Sequence, residues 1–425
     1  MELTKYKLGD IADISVGFPF ESERFNEDGD GVRLVRGMNV SERMLRFGDE
    51  SRWWSDITEN LEPYFLKEND IVIGMDGSKV GKNFALIKQT DLPLLLVQRV
   101  ACIRAKKGFD QNYIWHYVSS PRFIEYVNTI KTGSAIPHIS GKQIGEFPIF
   151  VPPLPEQKKI ASVLSALDDK IALNKKMNQK LEAMAKRLYD YWFVQYDFPD
   201  KNGHPYKTTG GPMTYNPTLK REIPAGWEVK TLKECIKHIN TGLNPRDNFV
   251  LGNGDIKYVT VKNLTTEGNI DFSGCDLIDE DALKKVHKRS DIAKGDVLYA
   301  SICPLGRSYL INKDPIGWDI NESVFSIRPN LDVISSEFLS MFLKDSAVVE
   351  KASKMATGSI FKGIRIKELE NMIFAVPAKN VMESFSKQIK NLIELEHKNI
   401  EETTRLTALR DKLLPLLMNG QVVVG

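Results

Sequence analysis

Two loops rich in glycine, hydroxyl side chains and cations carry the chemistry most easily read from this chain. The first is Gly77-Ser78-Lys79-Val80-Gly81-Lys82; the second is Lys131-Thr132-Gly133-Ser134-Ala135-Ile136-Pro137-His138-Ile139-Ser140-Gly141-Lys142. A matching pair lies further on: Ser301-Ile302-Cys303-Pro304-Leu305-Gly306-Arg307, and Lys354 to Lys367 around Thr357-Gly358-Ser359. Glycine lets backbone N–H groups approach a phosphate, while Ser, Thr, Lys and Arg donate to its oxygens. Either loop alone reads as a solvated turn with ordinary lysines. The same pair at equivalent places in two copies reads as a recognition surface carried on a rigid scaffold. The residues expected to face the ligand are Lys79, Lys82, Thr132, Ser134, His138, Ser140 and Lys142 in the first copy. In the second they are Arg307, Thr357, Ser359, Lys362, Arg365 and Lys367. Arg36 and Asn39, with their counterparts Lys262 and Asn263, complete the set.

Other chemistry finds no signature. There is no G-x-G-x-x-G, no Walker loop, no H-E-x-x-H and no Asn/Asp-Pro-Pro-aromatic tetrapeptide. Pro199-Asp200 followed by Glu228-Val229-Lys230 superficially fits a PD…ExK nuclease core. The plainer reading is that Asp200 lies in a linker and Glu228 opens the second copy. Six histidines (His116, His138, His204, His238, His287, His397) are scattered without an i,i+4 pair. The four cysteines, Cys102, Cys235, Cys275 and Cys303, form no CxxC or Cys/His pattern. They read as reduced thiols of a cytoplasmic protein, with no metal or disulfide frame. No apolar run reaches membrane length and the start, Met1-Glu2-Leu3-Thr4-Lys5, is polar, so no membrane or signal segment is expected. The net charge is +2, so any basic surface must be local.

The loops must be held by something, and the strongest pattern in the chain is a long helix with a copy. After Pro152, Pro153 and Pro155, the stretch Glu156 to Phe193 places apolar residues at Ile160, Leu164, Leu167, Ile171, Leu181, Ala185, Leu188 and Trp192. Steps of three and four define a coiled-coil seam, and Asn174 and Asn178 stand at its polar positions. Adding 225 takes Ile160, Leu164, Leu167, Asn174, Leu181 and Leu188 to Phe385, Ile389, Leu392, Asn399, Leu406 and Leu413. Two positions break the copy: Ile171 maps to Glu396 and Ala185 to Arg410. The C-terminal helix is expected to break near Pro415.

Flanking segments repeat in the same order. Leu8-Gly9-Asp10-Ile11 answers Leu232-Lys233-Glu234-Cys235, and Asp70-Ile71-Val72-Ile73 answers Asp296-Val297-Leu298-Tyr299. We read a tandem duplication. Each copy has β-rich runs (Val32–Val35, Ile71–Ile73, Phe84–Ile87 and Leu94–Ile103 in the first), then one helical stretch, Asn112–Lys131 or Ser335–Met355. The fold class is α+β with mixed or mostly antiparallel sheets. The layout is a first globular domain (1–151), a central long helix (152–195), a linker (196–222), a second globular domain (223–377) and a C-terminal long helix with a tail (378–425).

At this point the residues resemble a known family, the specificity subunits of type I restriction–modification systems. The marks are Phe150-Val151-Pro152-Pro153-Leu154-Pro155-Glu156-Gln157 leading into the long helix and Arg187-Leu188-Tyr189-Asp190-Tyr191-Trp192-Phe193 closing it. Ile223-Pro224-Ala225-Gly226-Trp227, both Thr-Gly-Ser loops and Lys412-Leu413-Leu414-Pro415 add to them. Two departures stand out: the first copy lacks the Ile-Pro-x-Gly-Trp opening, and the second helix opens with Val376-Pro377-Ala378-Lys379. The resemblance implies two target recognition domains joined by two long helices that form an antiparallel coiled coil. It implies that each domain reads half of a split, asymmetric site in double-stranded DNA and that the helices set the gap. It implies no catalysis and no cofactor bound by this chain. Methyltransferase subunits using S-adenosylmethionine would dock on it, and ATP-driven restriction/translocase subunits through them. A helix of about 38 residues spans roughly 57 Å, one to two turns of DNA at about 34–36 Å each. A coiled-coil adaptor, or a fused nuclease or methyltransferase with an unrecognised site, is the competing reading.

Overall fold

The computed structural model describes residues 2–133, 137–358, 362–422 and 424. The chain divides into two compact units, Met1–Lys175 with Ile400–Gly425, and Lys176–Asn399.

In the first unit, a four-stranded antiparallel sheet runs in the order Ala12–Val16, Val100–Ala105, Ile71–Gly74, Phe84–Leu86. A three-stranded mixed sheet sets Val32–Val35 antiparallel to Trp53–Trp54 and parallel to Leu94–Leu96. Thr4–Lys7 pairs with Pro148–Val151. The second unit repeats this plan. Its four-stranded sheet runs Ile236–Thr241, Val324–Pro329, Val297–Ala300, Ser308–Leu310, and its mixed sheet centres on Ile256–Val259 with Trp318–Ile320 parallel to it. The α+β reading with mixed sheets and a tandem repeat therefore holds.

Several boundaries differ from the sequence reading for physical reasons. Leu94–Ile103 is two strands, because the chain turns at Val97–Arg99, where Arg99 has φ +72°, and crosses from one sheet to the other. Asn112–Lys131 is two helices, Gln111–Val118 and Pro121–Ile130, since Pro121 can only open a helix. Ser335–Met355 is broken likewise, where Asp345 Oδ1 accepts from the N–H groups of Ala347 (2.9 Å) and Val348 (3.2 Å) and caps a new start. The helix Glu280–Ser290 has no place in the sequence reading at all. Within 196–222, Tyr196 and Phe198 are buried, Phe198 stacks on Tyr206 and Trp227, and Met213–Asn216 pairs with Arg221–Pro224.

The first long helix spans Leu154–Tyr189 and ends in a π-turn, Asp190–Val194; the second spans Lys379–Met418. The second helix does not break at Pro415. It continues one more turn, and the Asn419 N–H still reaches the Pro415 carbonyl at 3.0 Å. In each unit the two helices pair antiparallel. In the first, Asn174 Nδ2 donates to Glu402 Oε2 at 2.8 Å, and Arg410 Nη1 to Asp168 Oδ1 at 2.9 Å. Ile160, Leu164, Leu414 and Leu417 are buried with the domain core, while Leu167, Leu406 and Leu413 are half-buried. In the second unit, Asn399 Nδ2 donates to Asn178 Oδ1 at 2.8 Å. There Leu181, Phe385 and Ile389 are buried, with Leu188 and Leu392 partly so. Amides paired in an apolar seam fix its register, since any slip would strand them.

Where the helix pair meets each domain, the two units part company. In the first unit, Arg43 Nη1 donates to Asp168 Oδ2 at 2.9 Å, so Asp168 holds two guanidinium groups, from Arg43 and Arg410. His116 adds Nε2 to Ser165 Oγ at 3.0 Å, and burial pushes its pKa down to about 4, partly opposed by Asp168. In the second unit the matching corner is a cavity of about 370 Å3 lined by Glu182, Ala185, Lys344, Ile393 and Glu396 among others. Burial raises Glu396 to about 7; Lys344 opposes the shift and Glu182 adds to it.

Candidate nucleic-acid interface

The shorter candidate loop of each unit leaves the end of a buried strand, and the longer one leaves a helix, Pro121–Ile130 or Ser346–Met355. Ile71–Gly74 runs into Asp76–Lys82, and Val297–Ala300 into Ser301–Arg307. Apolar residues on both faces of those strands anchor the loop bases in the core. Gly81 and Gly306 occupy the same point of each loop with φ near +90°, and a Cβ there would press on Val127 or Val349 within 3 Å. Glycine is the residue that tolerates both demands.

The structure brings the two loops of each unit side by side and joins them through main-chain groups. In the first unit the Gly77 N–H donates to the Pro137 carbonyl (3.1 Å) and the Ile139 N–H to that of Met75 (2.8 Å). In the second, the Cys303 N–H donates to the Lys362 carbonyl and the Ile364 N–H to that of Ser301, both at 2.8 Å. Each longer loop is also closed on itself by a reciprocal backbone pair, Thr132 with His138 and Thr357 with Gly363. The constellations are the same, and the side chains they present are not.

Lys79 and Lys82 are exposed and border a cleft of about 380 Å3 with Ser78, Asn83, Asn128 and Lys131. Lys131 Nζ sits 2.9 Å from Asn128 Oδ1. The equivalents of Lys79, Lys82 and Lys131 are Pro304, Arg307 and Ala356. Arg307 is half-buried and its Nε has no acceptor. Lys142, Thr132, Thr357, Lys362, Arg365 and Lys367 are exposed. His138 is half-buried, its Nδ1 2.9 Å from Thr132 Oγ1, so it props the loop. Ser134 and Ser359 lie outside the described residues.

Four expected contacts serve the fold instead. Asn39 and Asn263 are 1% and 2% exposed. Asn39 accepts from the Arg36 N–H and donates to the Arg46 carbonyl; Asn263 accepts from the Thr260 N–H and donates to the Asp271 carbonyl. With both ends of the amide used, neither can read a base. Ser140 caps a short helix, accepting from the Gln143 N–H. Arg36 is tied to the Glu50 carbonyl at 2.8 Å and lies over the Phe25 ring. Lys262 remains at the surface, paired with Asp276 at 3.1 Å.

The nuclease-like residues are engaged elsewhere: Asp200 Oδ1 accepts from Asn202 and His204 N–H groups, and Glu228 pairs with Lys230 on one strand. Among the described residues no cluster of three His, Cys, Asp or Glu side chains is placed to hold a metal. No described helix is long and apolar enough to cross a membrane.

A repeated α+β domain, two paired loops per domain and antiparallel long helices define a class. Residues 2–183 and 224–405 match the type I restriction modification DNA specificity domain, and the chain belongs to that family. Among individual relatives it is similar to the type I restriction enzyme MjaIX specificity subunit of Methanocaldococcus jannaschii, 29% identical, covering 78% of this chain and 74% of that one. It is also similar to the EcoBI specificity subunit of Escherichia coli, 24% identical over 96% of this chain and 80% of the other. The fold resembles the crystal structure of the type I system S subunit from M. genitalium, with a TM-score of 0.62 at 16% identity, covering 98% and 96% of the two chains.

Proposed function

We propose that this chain is the non-catalytic DNA-specificity subunit of a cytoplasmic type I restriction–modification complex. Each globular domain reads one half of a bipartite, asymmetric site in double-stranded DNA through its joined loops. The long helices set the spacer and dock methyltransferase subunits, which bring S-adenosylmethionine chemistry; ATP-driven restriction subunits join through them. The observation that carries the reading is the loop pair: one backbone frame, built twice, presenting Lys79, Lys82 and Lys142 in one domain and Arg307, Lys362 and Arg365 in the other. A common frame with unlike side chains is what two different half-sites require, because bases are told apart by donor and acceptor placement.

Methylome sequencing of the host tests this. The expected result is one split motif, lost when Lys79, Lys82, Lys142, Arg307, Lys362 and Arg365 are all changed to alanine while the complex still assembles. An unchanged motif in that variant removes the loops from the interface.

A further inference from the structure

The helix Glu280–Ser290 stands where the first unit has only the short 3-10 helix Glu59–Tyr64. Asp279 Oδ1 caps it by accepting the Ala282 N–H at 2.8 Å, and Ala282 and Val286 bury one side against Tyr258 and Ile278. That packing leaves Lys284, Lys285, His287, Lys288 and Arg289 exposed. At the matching place in the first unit, residues 55–66 carry Asp56, Glu59 and Glu62 and no lysine or arginine.

A helix C-terminus favours cations through its dipole, by about 0.3–1 kcal/mol each. That accounts for the last turn and not for Lys284 and Lys285 a turn earlier. Nor is the cluster neutralised. Lys284 meets Asp281 at 3.0 Å, but neighbouring Asp291 is taken by Arg328 at 2.9 Å. Lys288 and Arg289 have no acidic partner among the described residues.

The helix is tied to the recognition loops. His287 Nδ1 lies 2.9 Å from the buried Asp319 Oδ2. Asp319 leads directly to Ser323, whose carbonyl accepts from Ser301 N–H (3.0 Å) and Oγ (2.8 Å) at the base of the 301–307 loop. Four residue steps span at most about 14 Å, less than half a turn of duplex at about 34 Å. The helix anchor at Asp319 and the base of the loop at Ser323 therefore lie within half a turn of duplex of each other.

Resting on the DNA-reading function above, we propose that Glu280–Ser290 is a second, sequence-independent contact of the second domain with the phosphate backbone. It clamps the duplex through Lys284, Lys285, Lys288 and Arg289, while the loops read bases. The first domain has no such clamp.

The test is salt-dependent binding of the methyltransferase-bound subunit to duplexes carrying the mapped motif or a scrambled one. Changing Lys284, Lys285, Lys288 and Arg289 to alanine, itself a strong helix former, should flatten the plot of log K against log salt by about three to four. Both duplexes should be affected alike, with the methylated motif unaltered. The double reversal K288E/R289E, at two positions without ion pairs, should weaken both duplexes at least tenfold. A slope change below about one and unchanged binding by the reversal, while Lys362→Ala/Arg365→Ala still weakens the motif duplex, would overturn the clamp and leave the DNA reading standing. If the loop variant is equally silent, both fall together.

Discussion

The corner where the helix pair meets each domain is built from the same four elements in both units, yet it is filled in one and hollow in the other. Arg43, in the left-handed region at φ +63°, throws its guanidinium onto Asp168 and is joined there by Arg410. The residues 225 further on are Gly268, also left-handed at φ +78°, and Ile393; Arg410 answers to Ala185. Removing both guanidinium groups and the central carboxylate leaves the cavity, into which Lys344 reaches and around which Glu182 and Glu396 stand. The two places where the helix copy fails, Ile171/Glu396 and Ala185/Arg410, each put a charged residue at one of these corners. A duplicated scaffold can thus keep its backbone while one copy welds a joint with charge and the other leaves it slack.

Breaking the welded corner should have the largest effect. Asp168→Ala strands two largely buried guanidinium groups and should cost about 3 kcal/mol, read by denaturant unfolding of the full chain. A loss below about 1 kcal/mol would mean the corner is ornamental. The corners should also answer pH in opposite senses. His116 titrates near 6.5 when unfolded and about 4 when folded, so the first unit loses stability as pH falls through that window. Glu396 moves from 4.5 unfolded to about 7 folded, so the folded state holds the extra proton and stability is lost as pH rises from 4.5 to 7. Glu396→Gln should therefore match the parent in Tm at pH 5 and exceed it by a few degrees at pH 8; a constant difference at both pH values would break the assignment. Filling the hollow corner with Ala185→Leu should add about 0.5–1 kcal/mol, and a loss would show that its walls are already in contact. The smallest effect belongs to Lys186→Ala at the cavity mouth. Its exposed pair with Asp190 should be worth no more than about 0.5 kcal/mol.

The repeat, the long helices and the pairing of loops were legible because each rests on spacing. Seam residues such as Ile160 and Phe385, or glycines such as Gly81 and Gly306, keep their offset whatever surrounds them. Residue type misled where burial decides the role. Asn39 and Asn263 look like readers because they recur beside cations, yet a 3-10 turn folds each amide inward onto its own backbone. Pro415 looks like a helix breaker, but the turn after it is held by burial of Leu417 and Met418. The Glu280–Ser290 helix left a signal in the Asp279 cap, the acidic first turn and the Ala282–Val286 spacing. The matching stretch of the first copy offers no such pattern: it holds only the short 3-10 helix Glu59–Tyr64, interrupted by Pro63. The charged corners could not be read at all, since Arg43, Asp168 and Arg410 are far apart along the chain.

Among the described residues, the two candidate loops of each unit are joined through amide N–H and carbonyl groups. Every residue except proline offers the same two groups, so exposed side chains such as Lys79, Lys142, Lys362 and Arg365 carry no duty to these joints, unlike Gly81, Gly306 and His138. A lineage can therefore exchange what the tips present, one substitution at a time, without reopening the question of whether the domain folds. The specificity of such a protein is free to drift faster than its architecture.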